Sequence, residues 1–455
     1  ADLYAYFFER GLKLLKYGGR MGYISSSTFF KTGSGKPLRQ YLLREATLET
    51  IVDFGDLQIF EGVTTYPAIL TMQRGAPPKG HELQFWNIEK MPASNFCATY
   101  RAQASPYPQS ALSVGSWELE GPSLRALRAK IRKSKKTLKA AYGSPFAGIK
   151  TGYNAAFILT DSERDSLVSV DPDSADLLKP ILFGTQLQQW IAEVPKKWII
   201  YIPKTGIEIS DYPAIERWLL AHKPKLKARA AKQKWFELQQ PQQKYQNTYE
   251  GMKLIYRDIA NRPSFSVDTG NYIDMTCFCI PFAGHFEAAL LSSNVLWFSL
   301  ISETTVARGG YFRMKSQYLE PLPIPNATAS QKAALAGLAQ NAQTYAEERY
   351  ILQDCLRRRI PDLSPSGGAT ALNTKLKNWW LLTDFAAFRA EVKKCFKADI
   401  PLYARNEWES WITRDRTEIA RLTAEIAKCE VQINKQVYAM FNLADEEIKL
   451  LEANI

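Results

Sequence analysis

Leu14-Leu15-Lys16-Tyr17-Gly18-Gly19-Arg20-Met21-Gly22-Tyr23-Ile24 decides how the chain is read. Before it, Leu3, Tyr6, Phe7, Leu14 and Leu15 recur at roughly helical spacing, so residues 2–16 are predicted as a helix that Gly18-Gly19 stops. After it, residues 21–27 read as a short strand, and Pro37 suits the first turn of a second helix reaching about Ala46. Leu48 to Phe54 is strand-like, and Pro67 to Met72 is a further apolar run. Helix, strand, helix, strand, strand is the order of an α/β sheet, here its back half without a front half. A strand at 21–27 would then lie at an edge, with unpaired backbone and apolar side chains exposed.

Working outward, residues 75–120 are rich in proline (Pro77, Pro78, Pro92, Pro106, Pro108) and read as a loop-rich bridge. Residues 121–325 mix short strands, two basic helices and many turns. Within them Ala288 to Ile301 reads as one buried helix, and Glu320-Pro321-Leu322-Pro323-Ile324-Pro325 closes the segment as a stiff linker. The remainder is helical. Thr328 with Gln331 fits a capping box. Leu335, Leu338, Ala342, Tyr345, Leu352 and Cys355 follow helical spacing. Ile412, Ile419, Leu422, Ile426, Cys429, Ile433, Val437 and Met440 form a heptad seam, so a pair of long packed helices is expected. The expected division is 1–120, 121–325 and 326–455.

The formal net charge of +12 is local. Between Gly121 and Ala260 there are 24 Lys/Arg and 13 Asp/Glu, a net of +11. Two runs carry it without an intervening acid. One is Arg125, Arg128, Lys130, Arg132, Lys133, Lys135, Lys136, Lys139 and Lys150; the other is Lys223, Lys225, Lys227, Arg229, Lys232 and Lys234. Aromatic residues lie in the same 121–260 segment: Trp190, Trp198, Trp218, Trp235, Phe236, Tyr245 and Tyr249. Cations among aromatic rings suit a polyanion; solvated helix faces are the plainer reading.

Other chemistries find little support. Six scattered cysteines and three histidines (His81, His222, His285) give neither a disulfide framework nor metal spacing, and suit a reducing, cytoplasmic compartment. No stretch reaches the length of an apolar membrane span. Gly33-Ser34-Gly35-Lys36 lacks the first glycine of a phosphate loop, and Pro37 stands where Ser or Thr is required.

Asp2-Leu3-Tyr4-Ala5-Tyr6-Phe7-Phe8-Glu9 together with Leu14 to Ile24 resembles the N6-adenine DNA methyltransferases, in the segment just after their Asn-Pro-Pro-Tyr loop. Ile59-Phe60-Glu61-Gly62-Val63-Thr64-Thr65-Tyr66-Pro67-Ala68-Ile69-Leu70 resembles a late strand-turn motif of the same family. Gly148-Ile149-Lys150-Thr151-Gly152-Tyr153-Asn154-Ala155-Ala156-Phe157 is similar to the opening of the target-recognition domain of type IIG restriction–modification enzymes. Lys253-Leu254-Ile255-Tyr256-Arg257-Asp258-Ile259 and Leu319-Glu320-Pro321-Leu322-Pro323-Ile324 are similar to later parts of it.

The resemblance implies the C-terminal half of a class I methyltransferase sheet, then an α+β target-recognition domain and a helical, coiled-coil-like region. It implies methyl transfer from S-adenosylmethionine to an adenine flipped out of duplex DNA. Phe60 matches the aromatic that packs on the flipped base, against the alternative of a core residue at a strand end. Phe7 matches a residue lining the cofactor's adenine, against that of a helix-core aromatic. The DNA-contact candidates are Lys150, Thr151, Tyr153, Asn154, Lys223, Lys225, Lys227, Arg229, Arg257, Arg308 and Arg313. Asn154 could pair with an adenine or serve a turn.

The sequence contains no Asn-Pro-Pro-Tyr and no glycine-rich cofactor loop. The chain alone is therefore expected neither to bind the cofactor usefully nor to methylate, and to need the missing N-terminal half or a partner chain. No metal is expected. The competing readings are a non-catalytic DNA-binding specificity subunit and an RNA-binding or scaffold protein.

Overall fold

The computed structural model describes residues 2–455, apart from Asp56, Val63, Thr64, Glu89, Glu118, Ser134, Ala231, Thr305, Arg308, Gly309 and Ala369. The chain is a mixed α/β protein with a helical C-terminal region. It forms two compact units, Ala1–Lys135 with Phe298–Met314 and Ala444–Ile455, and Lys136–Trp297 with Lys315–Leu443. The residues thus group differently from the three expected segments.

In the first unit the expected order is present: α1 (Leu3–Leu14), β1 (Arg20–Ser26), α2 (Lys36–Glu45), β2 (Ala46–Asp53) and β3 (Pro67–Arg74). The sheet order is β1-β3-β2-β4-β5, with β4 at Glu82–Asn87 and β5 at Ser105–Pro108. β3 runs antiparallel to both β1 and β2, and β2 pairs parallel with β4. The expected bridge at 75–120 is therefore corrected. It adds two strands and α3 (Phe96–Gln103). Pro106 and Pro108 are tolerated because β5 is an edge strand, where a missing N–H breaks no inner ladder.

Gln109 locks this extension to the sheet. Its side chain accepts from Leu48 N–H (2.8 Å) and donates to Ala46 C=O (2.9 Å), so a buried amide stands in for a strand partner of β2. Phe29, Phe30 and Trp117 pack edge-on and stacked at 4.7–5.7 Å in the core beneath. α1 is apolar on two faces. It buries Phe8 and Leu12, while Leu3, Tyr6, Phe7 and Leu14 are exposed. Among the described residues β1 pairs on one side only, through β3.

In the second unit, two four-stranded sheets share a core. One has the order Tyr272–Ile273, Leu178–Leu182, Trp198–Ile200, Ile158–Leu159. The other runs Ser266–Thr269, Met252–Arg257, Cys277–Pro281, Phe146–Ala147. The run Lys253-Leu254-Ile255-Tyr256 is fully buried because its strand is flanked on both sides. The Lys253 ammonium meets Asp268 at 2.6 Å and Tyr249 C=O at 2.7 Å, so the buried charge is paired and hydrogen-bonded.

Two further expectations are corrected here. The single helix at 288–301 is two, His285–Ser292 and Asn294–Glu303. They part at Ser293, whose hydroxyl donates to Leu290 C=O and competes with the helical ladder. The proline-rich "linker" is packed structure: Leu322, Pro323, Ile324 and Pro325 are buried, and Pro323-Ile324 pairs with Lys136-Thr137.

The helical part is led by Ala329–Arg359 and Arg405–Met440. Thr328 and Gln331 form the expected capping box. Contacts of Arg349 with Thr423 and of Arg359 with Trp411 set the two helices antiparallel. The seam of the second helix is buried as expected from Ile412 to Val437, with Met440 half-buried. In the first helix the buried stripe is Leu335, Ala339, Ala342, Ala346 and Tyr350 rather than Leu338 and Tyr345; small residues let the helices approach closely. This pair is fixed to the sheets by Gln343, which bonds both N–H and C=O of Val267, and by Trp190, which donates to Glu430 at 2.8 Å.

Two substitutions test this account. Gln109→Ala leaves the Leu48 N–H and Ala46 C=O buried and unpaired, and thermal unfolding should report a loss of about 2–4 kcal/mol. Lys253→Met strands Asp268 and should cost about 3–5 kcal/mol, whereas Lys253→Met with Asp268→Leu should recover most of it.

Candidate nucleic-acid interface

The motif 148–154 is held as a rigid loop. Gly148 lies so close to the 273–274 backbone that a Cβ would sit 2.2 Å from Asp274 O. Gly152 has φ +78°, and a Cβ there would meet Arg229 Cδ at 2.8 Å. Ile149 bridges to Asp274 and Lys150 to Gln240. Thr151 is buried; its hydroxyl accepts from Tyr153 N–H (3.1 Å) and donates to Asn154 Oδ1 (2.5 Å).

The structure brings the second basic run to this loop. The helix Lys223–Lys227 buries Leu226 and turns its lysines outward. Lys225 Nζ is 3.2 Å from the Tyr153 hydroxyl and 5.3 Å from its ring. His222 meets Tyr153 edge-on at 5.8 Å and lies 6.1 Å from Trp218. Lys223 rests over Trp235 at 4.6 Å. Among the described residues these two ammonium groups are braced by rings, with no acid in ion-pair contact. The Tyr153–His222–Trp218 cluster was invisible in the sequence, where its members are dispersed.

Arg229 departs from its expected role as a DNA contact. Nε donates to Leu226 O (3.0 Å), Nη1 to Thr151 O (2.7 Å), and Nη2 to Trp235 O and Glu237 O (both 2.8 Å). Four of its five donors are spent on carbonyls. Burial lowers its pKa, and the guanidinium faces Phe157. It is the bolt between loop and helix.

Four cations of the first basic run are also paired with acids. Arg128 grips Glu120 through Nε (2.8 and 2.6 Å), Lys130 meets Glu447 (2.5 Å), Arg132 pairs with Glu303, and Lys139 meets Glu320 (2.9 Å). Acids outside the run, up to 317 residues away, meet cations that looked unopposed.

Of the remaining candidates, Arg257 is half-buried at the end of the strand Met252–Arg257, opposite Cys277. Arg313 belongs to the first unit, in the strand Tyr311–Arg313. Arg308 lies outside the described residues, as do Val63 and Thr64 of the motif at 59–70. Phe7 and Phe60, also in the first unit, are 59% and 43% exposed, so neither is a core aromatic. Beside the motif loop a cleft of about 370 Å³ is lined by Lys150, Thr151, Tyr153, Asn154, Phe183 and Met275 among others. Asp274 also lines it; burial raises its carboxyl pKa, offset in part by hydrogen bonds from Thr276. No described helix is long and apolar enough to cross a membrane.

An α/β sheet with an open edge, a rigid glycine loop beside ring-braced lysines, and a long helix pair define a class that comparisons with known proteins make specific. Residues 1–60 match the family model of the Eco57I restriction–modification methylase, and residues 328–437 match a domain of unknown function. The type II methyltransferase M.XhoI of Xanthomonas vasicola is 26% identical over 388 residues, 78% of this chain and 69% of that protein. The restriction enzyme and methyltransferase RM.Eco57I of Escherichia coli is 30% identical over 34% of this chain and 16% of its own length. M.PaeR7I of Pseudomonas aeruginosa is 26% identical over 71% of this chain and 58% of its own length. The type IIL restriction–modification enzyme MmeI, solved in complex with DNA, shares the fold over 93% of this chain and 53% of its own (TM-score 0.52, 13% identity). Over these spans the chain is similar to type II restriction–modification methyltransferases.

The different jobs of Arg229 and Lys225 separate in one experiment. Arg229→Ala should destabilise the chain by about 2–3 kcal/mol, because it removes charge-assisted bonds to carbonyls. Lys225→Ala should leave thermal unfolding within about 0.5 kcal/mol of wild type.

Proposed function

We propose that this chain supplies sequence-specific recognition of duplex DNA within an S-adenosylmethionine-dependent adenine-N6 methyltransferase of a restriction–modification system. The observation that carries the reading is the joining of loop 149–154 to the helix Lys223–Lys227 through Arg229 and the Lys225–Tyr153 contact. A polar loop fixed beside unneutralised lysines suits a duplex, with lysines on phosphates and loop side chains at base edges. On this reading residues 121–325 are the target-recognition part. Residues 1–120 are the back of the methyltransferase sheet, and 326–455 are helical support.

Phe60 is proposed to stack on the flipped adenine and Phe7 to line the cofactor's adenine; their exposure supports both roles. The residues present do not by themselves fit S-adenosylmethionine. Among the described residues, β1 is followed by Ser27–Phe30 and β2 by Gly55, with no glycine-rich loop to hold the cofactor. The open edge of β1 and the exposed apolar stripe of α1 support a role for further strands and helices, supplied by more of the polypeptide or by a partner chain.

Two measurements test the proposal. Duplex binding by the chain should weaken steeply with salt. Lys223→Ala/Lys225→Ala/Lys227→Ala should lower affinity about tenfold or more and make the slope of log K against log salt shallower by about 0.9 for each phosphate no longer neutralised. An unchanged slope contradicts the assignment. The chain alone should transfer no methyl group to adenine-containing duplex; transfer would overturn the cofactor reading.

A further inference from the structure

We infer that the cleft beside loop 149–154 reads one adenine of the DNA site through the Asn154 side chain, with Thr151 as the positioning residue. This rests on the duplex-recognition reading above and adds to it which base is read and by which atoms.

The Thr151 hydroxyl is buried and accepts the Tyr153 N–H, and its 2.5 Å contact with the Asn154 side chain is an O–H···O distance, shorter than an amide N–H···O bond, so its proton is donated there. Only an oxygen can accept it, since an amide nitrogen would present hydrogen to hydrogen. That fixes which end of the amide is Oδ1. Nδ2 then points away from Thr151 and has no partner among the described residues. Asn154 is exposed, and it lines the cleft with Phe183 and Met275. An exposed amide is usually free to flip; this one is held in one orientation by a buried hydroxyl.

The result is a fixed donor beside an acceptor that keeps one lone pair. In the major groove adenine offers N7 as acceptor and N6–H₂ as donor, the complement of that pair. Guanine offers two acceptors, N7 and O6, and would set one against Oδ1. Cytosine and thymine each lack one half of the match. Of the other polar groups lining the cleft, the Lys150 ammonium is a donor alone and does not impose a donor–acceptor pair, and the Asp274 carboxylate already accepts from Thr276.

The test is selection of bound duplexes from a randomised library, followed by sequencing, with wild type, Asn154→Ala, Asn154→Asp, Thr151→Val and Thr151→Ser. Wild type should select a site with one adenine position favoured about tenfold or more, which Asn154→Ala flattens. The slope of affinity against salt should be unchanged, because lysines supply the phosphate contacts. Asn154→Asp, an acceptor only, should shift that position toward cytosine, whose N4 donates. Thr151→Val should flatten the same position and Thr151→Ser should restore it, a rescue that general destabilisation does not give. Retention of the adenine preference in Asn154→Ala, or flattening only at a position that is not adenine, overturns the inference while leaving duplex recognition standing. Absence of duplex binding by wild type overturns both.

Discussion

The guanidinium of Arg229 is the constraint on which the recognition surface depends. One side chain binds carbonyls of Leu226, Thr151, Trp235 and Glu237, joining segments that begin 78 residues apart. It ties the motif loop to the lysine helix beside the contacts that Lys225 and His222 make with Tyr153. With it, loop amides and ring-braced ammonium groups share one rigid face, which is how a fixed scaffold presents functional loops. Gly152 permits the close approach of the arginine and Gly148 that of the 273–274 backbone, so the glycines of the motif serve packing first.

Much of the scaffold could be read from local pattern. α1, β1, α2, β2 and β3 followed from helical spacing, glycine stops and short apolar runs, and the seam of Arg405–Met440 from its heptads. What escaped was non-local. β5 carries two prolines and is a strand only because β4 offers it an edge. Pro323-Ile324 looked like a linker and is buried because Lys136-Thr137 pairs with it. The first basic run read as a polyanion surface because the acid that meets Lys130 is Glu447, 317 residues away.

The candidate site shows the same division. Its residue types were legible: lysines, aromatics, and a loop containing Lys150, Thr151, Tyr153 and Asn154. Their division of labour was not. Arg229 stands among lysines in the sequence yet faces inward, because a planar fork with five donors suits clustered carbonyls where an ammonium does not. His222 and Trp218 joined the surface only through folding, by brushing Tyr153 and one another.

The central claim is that loop 149–154 and the helix Lys223–Lys227 form one surface that meets duplex DNA. Hydrogen–deuterium exchange of the chain with and without a mixed-sequence duplex addresses it directly. The account predicts that both segments gain protection together on adding DNA, while Arg125–Lys139, four of whose cations are paired with acids, changes little. Protection confined to the first basic run or to the helix pair, with both named segments unchanged, would contradict it.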